Sequence, residues 1–563
     1  MTEQQEAGRP EARRIPIPPD FPVSWEDPED QQLPLTWENT HNPDPAPALE
    51  FDLWHVIYDN GANPAFESYQ LPIRFKVRRI NTYLYTAVVP VVPPEQMEAL
   101  GKLSEEALGA AVDRLEECWN GEWLPEIKEQ LAFWDAFDLQ RATAPSLHQH
   151  LQETVKRLGR LWDIHFRIVL PVYLAIGLFD EFYQDLLGQG NAFDAYRLLE
   201  GFDSKTLEVN QALWDLSREA LAAPAVHQVF EEHASNEVVT ALAGVEGGNS
   251  FLQSLQAFLD SHGQRGSDWS VSLPSWLEDP TPVIATLKDY LRQPTGDPRA
   301  EQAALAADRD EAVAAAREQL KGYPQQVRQQ FDSLLEAAQA ANVLTEDHGY
   351  WIDFNGTYRV RRVLVEVGRR LVTAGALEHA DDIFQLTLHE TQRAVAALPG
   401  GDDLRPLVAA RHAELERWSA VTPPAALGTD YGPPPDNPIN RTLGKFFGAP
   451  PKPSEAADLI NRNAGSPGKV RAVARVIHTL DEVDRLQPGE VLVTKTTSPP
   501  WTPLFATAGA IVTDAGGILS HCAVVAREYR IPAVVGTGRA TRAIRDGQLL
   551  EVDGDSGTVR IVG

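Results

Sequence analysis

The chain has 563 residues, of which 43% are hydrophobic, and its formal net charge at pH 7 is −30. Its length predicts two or more domains, because a single hydrophobic core stops growing well below this size. The negative charge argues against nucleic acid as a partner, and we expect the acidic surface to serve solubility. Cys118 and Cys522, the two cysteines, are far apart in the sequence. This pattern indicates a reducing compartment and no disulfide framework.

The first 48 residues are rich in Pro, Asp and Glu, and they lack the apolar core of a secretory signal. We predict an extended N-terminal arm over 1–48, part of which packs on another domain through Trp25, Trp37 and His41. The most apolar stretch of the chain, 168–179, lies between charged residues and is too short to span a bilayer. We therefore expect a cytoplasmic protein with no membrane partner.

Residues 49–422 are predicted to form a mainly helical domain. Two segments, 73–77 and 83–89, have the pattern of strands, and helical patterns dominate afterwards. Thr387 and Glu390 have the spacing of a capping box. Apolar residues recur at helical spacing in three places, which are Leu108, Val112, Leu115 and Trp119; Val327, Phe331, Leu334, Leu335 and Ala338; and Val360, Val363, Leu364, Val367 and Leu371.

Residues 423–463 contain three proline runs, at 423–424, 433–435 and 450–453. Such runs are extended and semi-rigid, so we predict a Pro-rich linker over this interval. Composition allows two interpretations, which are a passive connector and a spacer that lets the flanking domains move.

Residues 464–563 alternate between strand and helix patterns, which predicts a compact α/β domain. The predicted strands lie at 470–477, 490–494, 533–535, 548–552 and 558–562, and a short helix is predicted at 501–508.

The stretch 513–536 of this domain carries the strongest chemical signal. Gly516 and Gly517 allow a sharp turn, and Ser520 and His521 stand at the start of an apolar helical segment, 522–529. A histidine at a helix N-terminus faces unpaired N–H groups and the positive end of the helix dipole, which suits an anion. A neutral imidazole nitrogen is also a nucleophile. These residues suggest that His521 carries a phosphoryl group, whereas the alternative is a capping or core histidine.

The same stretch closely resembles the signature of the swivelling phosphohistidine domain of PEP-utilising enzymes. The resemblance implies a multidomain fold, with a mainly α-helical acceptor domain followed by a small α/β swivelling domain in which His521 is phosphorylated. Cys522 departs from the pattern, which usually has a small residue there. The matching positions are Gly516, Gly517, Ser520, His521, Ala523, Ala526, Arg527 and Glu528.

Relatives in this family charge the carrier histidine with an ATP-grasp domain or a PEP-binding barrel. The mostly helical pattern of the first 420 residues or so fits neither module. The resemblance therefore implies a separate ATP-grasp-type subunit that binds ATP and Mg²⁺ and charges His521. We predict no metal site in this chain.

The helical region resembles the acceptor domain of rifamycin phosphotransferases in strings such as 198–205 and 346–353. Its architecture resembles the split phenol phosphotransferases, such as phenylphosphate synthase and 4-methylphenyl phosphate synthase. It implies a phosphohistidine subunit that passes a phosphoryl group to a small, alkylphenol-like hydroxyl. Two alternatives remain. The acceptor could be a larger hydroxylated compound such as an antibiotic, or the chain could be a non-catalytic phosphohistidine regulator.

An acceptor site for a phenol, whose pKa is near ~10, needs a base and cationic groups that hold the phosphoryl group. One charged cluster offers both, although it also fits a solvated loop and helix face. Its candidate bases are Glu346, Asp347 and His348, and its candidate binding residues are Tyr350, Arg359, Arg361 and Arg362. Two further candidates are His165, which lies among aromatic residues and could equally be a core residue, and Lys205, which could equally be solvated.

Overall fold

The computed structural model describes residues 12–188, 192–266, 268–292, 296–433, 436–447 and 459–562. The chain divides into two compact units, and neither is a continuous stretch of sequence. The first unit comprises Met1–Leu170, Ser270–Ser272 and Arg359–Asn440, and the second comprises Pro171–Trp269, Leu273–Tyr358 and Arg441–Gly563.

The first unit contains an antiparallel sheet with the strand order β1-β5-β2-β4-β3. The predicted strands at 73–77 and 83–89 are confirmed as β3 and β4, which pair along their full length. The bounds are β1 Arg13–Arg14, β2 Pro34–Trp37, β3 Ile73–Ile80, β4 Tyr83–Pro90 and β5 Ala426–Asp430.

Two intervals expected to be extended contribute to this sheet. The predicted arm supplies β1 and β2, and the predicted linker supplies β5. Apolar side chains between the prolines explain the difference, because Leu35 and Leu427 are both 0% exposed in the core under the sheet. Pro34 stands at the first position of β2, where a missing N–H is tolerated. Pro434, Pro435 and the proline run at 450–453 lie outside the described residues.

Helices of the first unit follow the predicted apolar periodicity. The capping box at Thr387 and Glu390 is confirmed, with both reciprocal hydrogen bonds present. The helices that lie wholly in this unit are α1 Ala48–Ile57, α2 Asn63–Ser68, α3 Pro94–Asp113, α4 Leu115–Cys118, α5 Leu124–Asp135, α15 Leu388–Ala397 and α16 Arg405–Ser419.

Three of the described helices, α6 (Ala144–Leu187), α14 (Asn355–Thr373) and α17 (Pro438–Phe447), contain residues of both units. Among the described helices, α6 alone has the length and hydropathy of a membrane span, and 67% of its most apolar window is buried within the protein. Core helices have the same properties.

The helices of the second unit bury a large apolar core in which Leu213, Phe251, Leu255 and Ile284 are almost fully enclosed. The helical expectation for this region is confirmed. The bounds are α7 Lys205–Ala222, α8 Pro224–Glu232, α9 Val238–Leu242, α10 Gly248–His262, α11 Thr281–Arg292, α12 Pro298–Gln319 and α13 Gln325–Gly349.

An eight-stranded sheet completes the second unit, with the order β6-β13-β12-β8-β9-β10-β11-β7. Strands β8 to β11 run parallel, and the remaining pairs are antiparallel. The predicted α/β region at 464–563 is thus confirmed as a mixed sheet with short helices. The bounds are β6 Leu459–Asn461, β7 Asn463–Ser466, β8 Lys469–Val476, β9 Val491–Thr494, β10 Ala510–Thr513, β11 Ala533–Val535, β12 Leu549–Asp553, β13 Thr558–Ile561, α18 Thr502–Phe505, α19 His521–Glu528 and α20 Ala540–Ala543.

The unit β10–α19–β11 positions the candidate histidine. Because β10 and β11 are parallel, the helix between them must cross over one face of the sheet. The helix buries Cys522, Ala523 and Ala526 in a core shared with Ile511 and Ala533. His521 is the first residue of α19, and it therefore lies just beyond the carboxyl end of β10.

We expect Gly368→Ala to destabilise the first unit by about 1–3 kcal/mol, since overpacking of a tight contact has costs of this order. A Cβ at Gly368 would lie 2.0 Å from the Ala380 carbonyl oxygen. Urea unfolding measures the change. Gly109→Ala in α3 is the matched control, because a Cβ there meets open space among the described residues. The control should be neutral or stabilising by about 0.5–1 kcal/mol, and equal effects of the two substitutions would contradict the close packing.

Candidate active site

The His521 side chain is held between two polar groups of the second unit. Its Nδ1 lies 3.3 Å from Glu346 Oε1, and its Nε2 lies 3.3 Å from Thr502 Oγ1. The side chain is 10% exposed. The predicted carrier histidine and one of the predicted acceptor-side carboxylates are therefore in direct contact.

A glycine turn sets the direction in which α19 begins. Gly516 has a φ of 104°, a conformation that favours glycine. The Ser520 hydroxyl donates to the Gly517 carbonyl at 2.7 Å, so it closes the turn. The neighbouring backbone is held by α17, since Gly517 N–H donates to Phe446 O at 2.8 Å and Leu519 N–H donates to Lys445 O at 3.0 Å. The loop before His521 thus has its shape fixed by backbone hydrogen bonds.

Glu346 stands near the end of α13 and is held from both sides. Its Oε1 faces His521, and its Oε2 accepts a hydrogen bond from Thr206 Oγ1 at 2.8 Å. Burial by itself raises the pKa of the Glu346 carboxyl, but His521, Thr206 and the charge of Arg265 outweigh burial and lower that pKa to about 2. The side chain is consequently a carboxylate at neutral pH, and it is a weak proton acceptor.

Asp347 contacts the first turn of α7, where its Oδ1 accepts the Lys205 N–H at 2.9 Å. A carboxylate at a helix N-terminus is favoured by the helix dipole. Burial raises the pKa of Asp347. Asp347 is accordingly a better proton acceptor than Glu346 in this part of the site. The Lys205 ammonium is bound to both carboxylate oxygens of Glu208, at 2.7 and 2.8 Å.

Arg265 is a site residue that sequence reasoning missed. It is 1% exposed, its Nη2 donates to the Lys205 carbonyl at 3.2 Å, and its guanidinium carbon lies 5.4 Å from the ring centroids of both Tyr350 and Phe354. Burial lowers the pKa of Arg265 to about 10, so the side chain is still a cation at neutral pH. A single arginine between glycines matches no functional sequence motif, so no sequence signal could have found it.

Tyr350 and His348 lie at the end of α13 and just beyond it. The Tyr350 ring packs edge-on against Trp351 with centroids 5.1 Å apart, and it also faces Lys205 and Arg265. His348 is 4% exposed, and its Nδ1 donates to the Leu344 carbonyl one turn earlier. The structure therefore brings Tyr350 together with the cations of the site and places His348 as a buried side chain of α13.

The remaining predicted residues belong to the first unit and have partners there. Arg359 pairs with Asp135 through two nitrogens, and Arg362 reaches the same carboxylate at 3.5 Å. Arg361 is 4% exposed and donates to the Val271 and Ser272 carbonyls and to Asp381. The His165 ring lies 4.4 Å from that of Trp162 and 5.0 Å from that of Phe166. Their predicted part in phosphate or substrate binding stays a prediction.

The site can do one kind of chemistry directly. A carboxylate that accepts the Nδ1–H of an imidazole fixes its tautomer and leaves the Nε2 lone pair as the nucleophile. The first turn of α19 adds backbone N–H groups and the helix dipole, which favour an anion beside the ring.

Comparison with known proteins identifies two regions of the chain. Residues 486–557 match the family model of the PEP-utilising enzyme mobile domain, and residues 165–346 match that of the rifampicin phosphotransferase fourth domain. The chain carries a PEP-utilising mobile domain. The predicted resemblance is thereby confirmed for both regions, and His521 and Glu346 lie in the mobile domain and the fourth domain, respectively.

Three curated relatives show how far the similarity extends. Chondramide synthase cmdD of Chondromyces crocatus is 40% identical over 98% of this chain and 14% of its own length. The prodigiosin synthesizing transferase PigC of Serratia marcescens is 33% identical over 76% of this chain and 47% of its own length. A rifampicin phosphotransferase of Streptomyces sviceus is 29% identical over 76% of this chain and 48% of its own length. The chain thus spans about half of the latter two proteins and far less of the first.

Arg527 and Glu528 in the mobile domain belong to the sequence signature, and the structure gives each a distinct environment. Arg527 Nη1 donates to the Gly465 and Ile518 carbonyls at 2.8 and 2.9 Å, so it braces the turn before His521. Burial raises the pKa of Glu528 to about 8, and the charges of Glu346 and Glu200 add to the increase. Since α19 has 3.6 residues per turn, Glu528 is two turns from His521 on the same face.

We expect Glu528→Gln to become more stable than the wild type as the pH rises from about 5 to 8. The folded wild type binds more protons than the unfolded chain between the ordinary carboxyl pKa of 4.5 and its raised pKa of about 8, so its stability falls across that window. The neutral amide removes this fall, and the difference at pH 8 should be on the order of 4 kcal/mol.

Urea unfolding at several pH values measures that difference between variant and wild type. Glu231→Gln, whose parent side chain is 65% exposed, is the control and should show no such trend. A Glu528→Gln difference that stays constant with pH would contradict the raised pKa.

Proposed function

We propose that this chain is the phosphohistidine component of a phosphotransferase, in which His521 carries a phosphoryl group to the hydroxyl of an acceptor bound by the helical region. The observation that carries the proposal is the 3.3 Å contact between His521 Nδ1 and Glu346 Oε1. It joins the signature histidine of the mobile domain to the charged cluster that the acceptor chemistry requires.

In the proposed charging step, the Nε2 lone pair of His521 attacks the phosphorus of the donor. The Nε2–P bond forms, and the bond from phosphorus to the donor's leaving oxygen breaks. Glu346 favours this nitrogen, because the Nδ1–H remains on the ring and continues to donate to the carboxylate. The Thr502 hydroxyl, 3.3 Å from Nε2 in the uncharged protein, is then a donor beside the phosphoryl group.

In the proposed discharge step, the acceptor oxygen attacks the same phosphorus. The O–P bond forms, the Nε2–P bond breaks, and its electron pair returns to the imidazole. The hydroxyl proton passes to a base, for which we propose Asp347, because burial raises the pKa of its carboxyl and it is adjacent to Glu346 in the sequence. Glu346 was also a candidate base in the sequence, but with its pKa near 2 we assign it the task of positioning His521.

We propose ATP with Mg²⁺ as the source of the phosphoryl group, supplied through a separate ATP-grasp-type subunit. This part of the proposal rests on the family resemblance and on the mostly helical pattern upstream of the mobile domain. The assignment depends on whether label from ATP reaches His521.

We propose a small phenolic hydroxyl as the acceptor. Support comes from the aromatic wall at Tyr350 and Trp351 and from the architecture of split phenol phosphotransferases. The second candidate is a larger natural product, and the names of the relatives favour it to the same extent, since they include rifampicin phosphotransferase and chondramide synthase. A phosphohistidine regulator without an acceptor is the third.

One assay separates these candidates. The chain is incubated with an ATP-grasp-type protein, ATP labelled at the β position and Mg²⁺, and it is then offered a panel of phenols and a rifamycin. Label that reaches His521 and then a phenol supports the main proposal. Discharge only to the macrocycle supports the second candidate, and labelled His521 that neither acceptor discharges supports the regulator.

We expect His521→Ala to lose all label uptake and all acceptor phosphorylation, because the nucleophilic nitrogen is absent. Acid-labile label on the protein and product formation are measured together. His478→Ala, at an exposed histidine of the same region, is the control and should behave like the wild type. Phosphoryl transfer to the acceptor by His521→Ala at the wild-type level would contradict the proposal.

We expect Glu346→Gln to slow discharge to the acceptor by about 10- to 100-fold, because a neutral amide holds the ring less firmly than a charge-assisted hydrogen bond. Single-turnover discharge from charged protein measures this rate. Glu336→Gln, an exposed glutamate on the same helix, is the matched control. If both variants discharge at the wild-type rate, Glu346 does not position His521.

A further inference from the structure

Arg265 is an unusual residue for a protein interior. It is 1% exposed, and its guanidinium is held by one backbone carbonyl and two aromatic faces, none of which carries a charge. Among the described residues, its Nε has no hydrogen-bond partner although the atom is buried. A buried cation normally has a carboxylate partner and a full set of acceptors, since an uncompensated charge strongly destabilises the fold.

A short path of contacts links Arg265 to the proposed carrier histidine. Its Nη2 donates to the carbonyl of Lys205, and the next residue, Thr206, donates to Glu346 Oε2. Glu346 Oε1 in turn faces His521 Nδ1. The charge of Arg265 also reaches this carboxylate, because it is one of the influences that lower the pKa of Glu346.

The proposed transfer creates a need for a cation at this place. A phosphoryl group on Nε2 of His521 adds about two negative charges to a ring whose Nδ1 already contacts the Glu346 carboxylate, and like charges repel strongly where water is excluded. Phosphoryl transfer also spreads charge over the equatorial oxygens, which enzymes stabilise with positioned cations. A guanidinium is a planar cation whose N–H groups bind phosphoryl oxygens well, and the Nε–H of Arg265 has no partner among the described residues.

We propose that Arg265 binds the phosphoryl group carried by His521 while it passes to the acceptor. The inference rests on the proposed function. Arg265 forms and breaks no covalent bond, and it donates its unpartnered Nε–H to a phosphoryl oxygen as the Nε2–P bond breaks and the acceptor O–P bond forms. The Lys205 ammonium is less suited, because Glu208 already binds it through both oxygens.

Arg265→Met and Arg265→Lys test this assignment in the full-length chain. The methionine keeps much of the side-chain volume and removes the charge, whereas the lysine keeps the charge and removes the planar arrangement of N–H donors. The matched control is Arg218→Met, since Arg218 also stacks on an aromatic ring, that of Trp214 at 4.0 Å, and donates to a carbonyl, that of Tyr290. Charging of His521, its single-turnover discharge and the unfolding temperature are measured for each protein.

The expected result separates binding of the phosphoryl group from a structural effect. Arg265→Met should charge at the wild-type rate, discharge about 100-fold more slowly, and unfold at the same or a higher temperature, because an unpaired buried charge has been removed. Arg265→Lys should recover part of the discharge rate. Arg218→Met should leave both rates unchanged.

Wild-type discharge by a folded Arg265→Met would overturn the inference and leave the proposed function intact. Equal loss of charging and discharge together with a lower unfolding temperature would assign Arg265 a structural role and also overturn it. A wild-type protein that is never labelled at His521 would overturn the proposed function, and this inference with it.

Discussion

The contact between the His521 imidazole and the Glu346 carboxylate is the interaction on which the rest of the site depends. It is one of the contacts between the α/β region and the helices of the second unit, and it determines which ring nitrogen retains a proton. Thr206 holds the other carboxylate oxygen, so that the glutamate cannot turn away without losing a hydrogen bond. The carboxylate therefore fixes the orientation of the imidazole ring.

Three ionisable side chains at this contact or near it differ in their charge. Glu346 is held as a carboxylate, and the buried Arg265 guanidinium lies two links away along the contact path. Glu528, on the same face of α19 as His521, has a pKa of about 8 and is largely neutral at pH 7. This neutrality limits the negative charge near the ring, and a phosphoryl dianion would otherwise meet two carboxylates. The unpaired cation and the protonated acid are both destabilising for the fold, which is typical of functional sites.

Sequence reasoning predicted the mobile domain well because its signals are local. The glycines, the helix start at His521 and the strand at 533–535 all follow from turn and period rules applied over a few residues. Arg265 could not be predicted, since its importance comes from burial beside residues distant in the sequence. The strands at 34–37 and 426–430 were missed for a related reason, because prolines dominate their surroundings and the partner strands are remote.

Two backbone hydrogen bonds, accepted by the Phe446 and Lys445 carbonyls, connect α17 to the glycine turn. Such bonds do not depend on which side chains occupy the helix. Side chains of this segment can therefore be replaced while the backbone hydrogen bonds that shape the loop before His521 are retained. A proline at Gly517 or Leu519 would remove one of the two N–H donors.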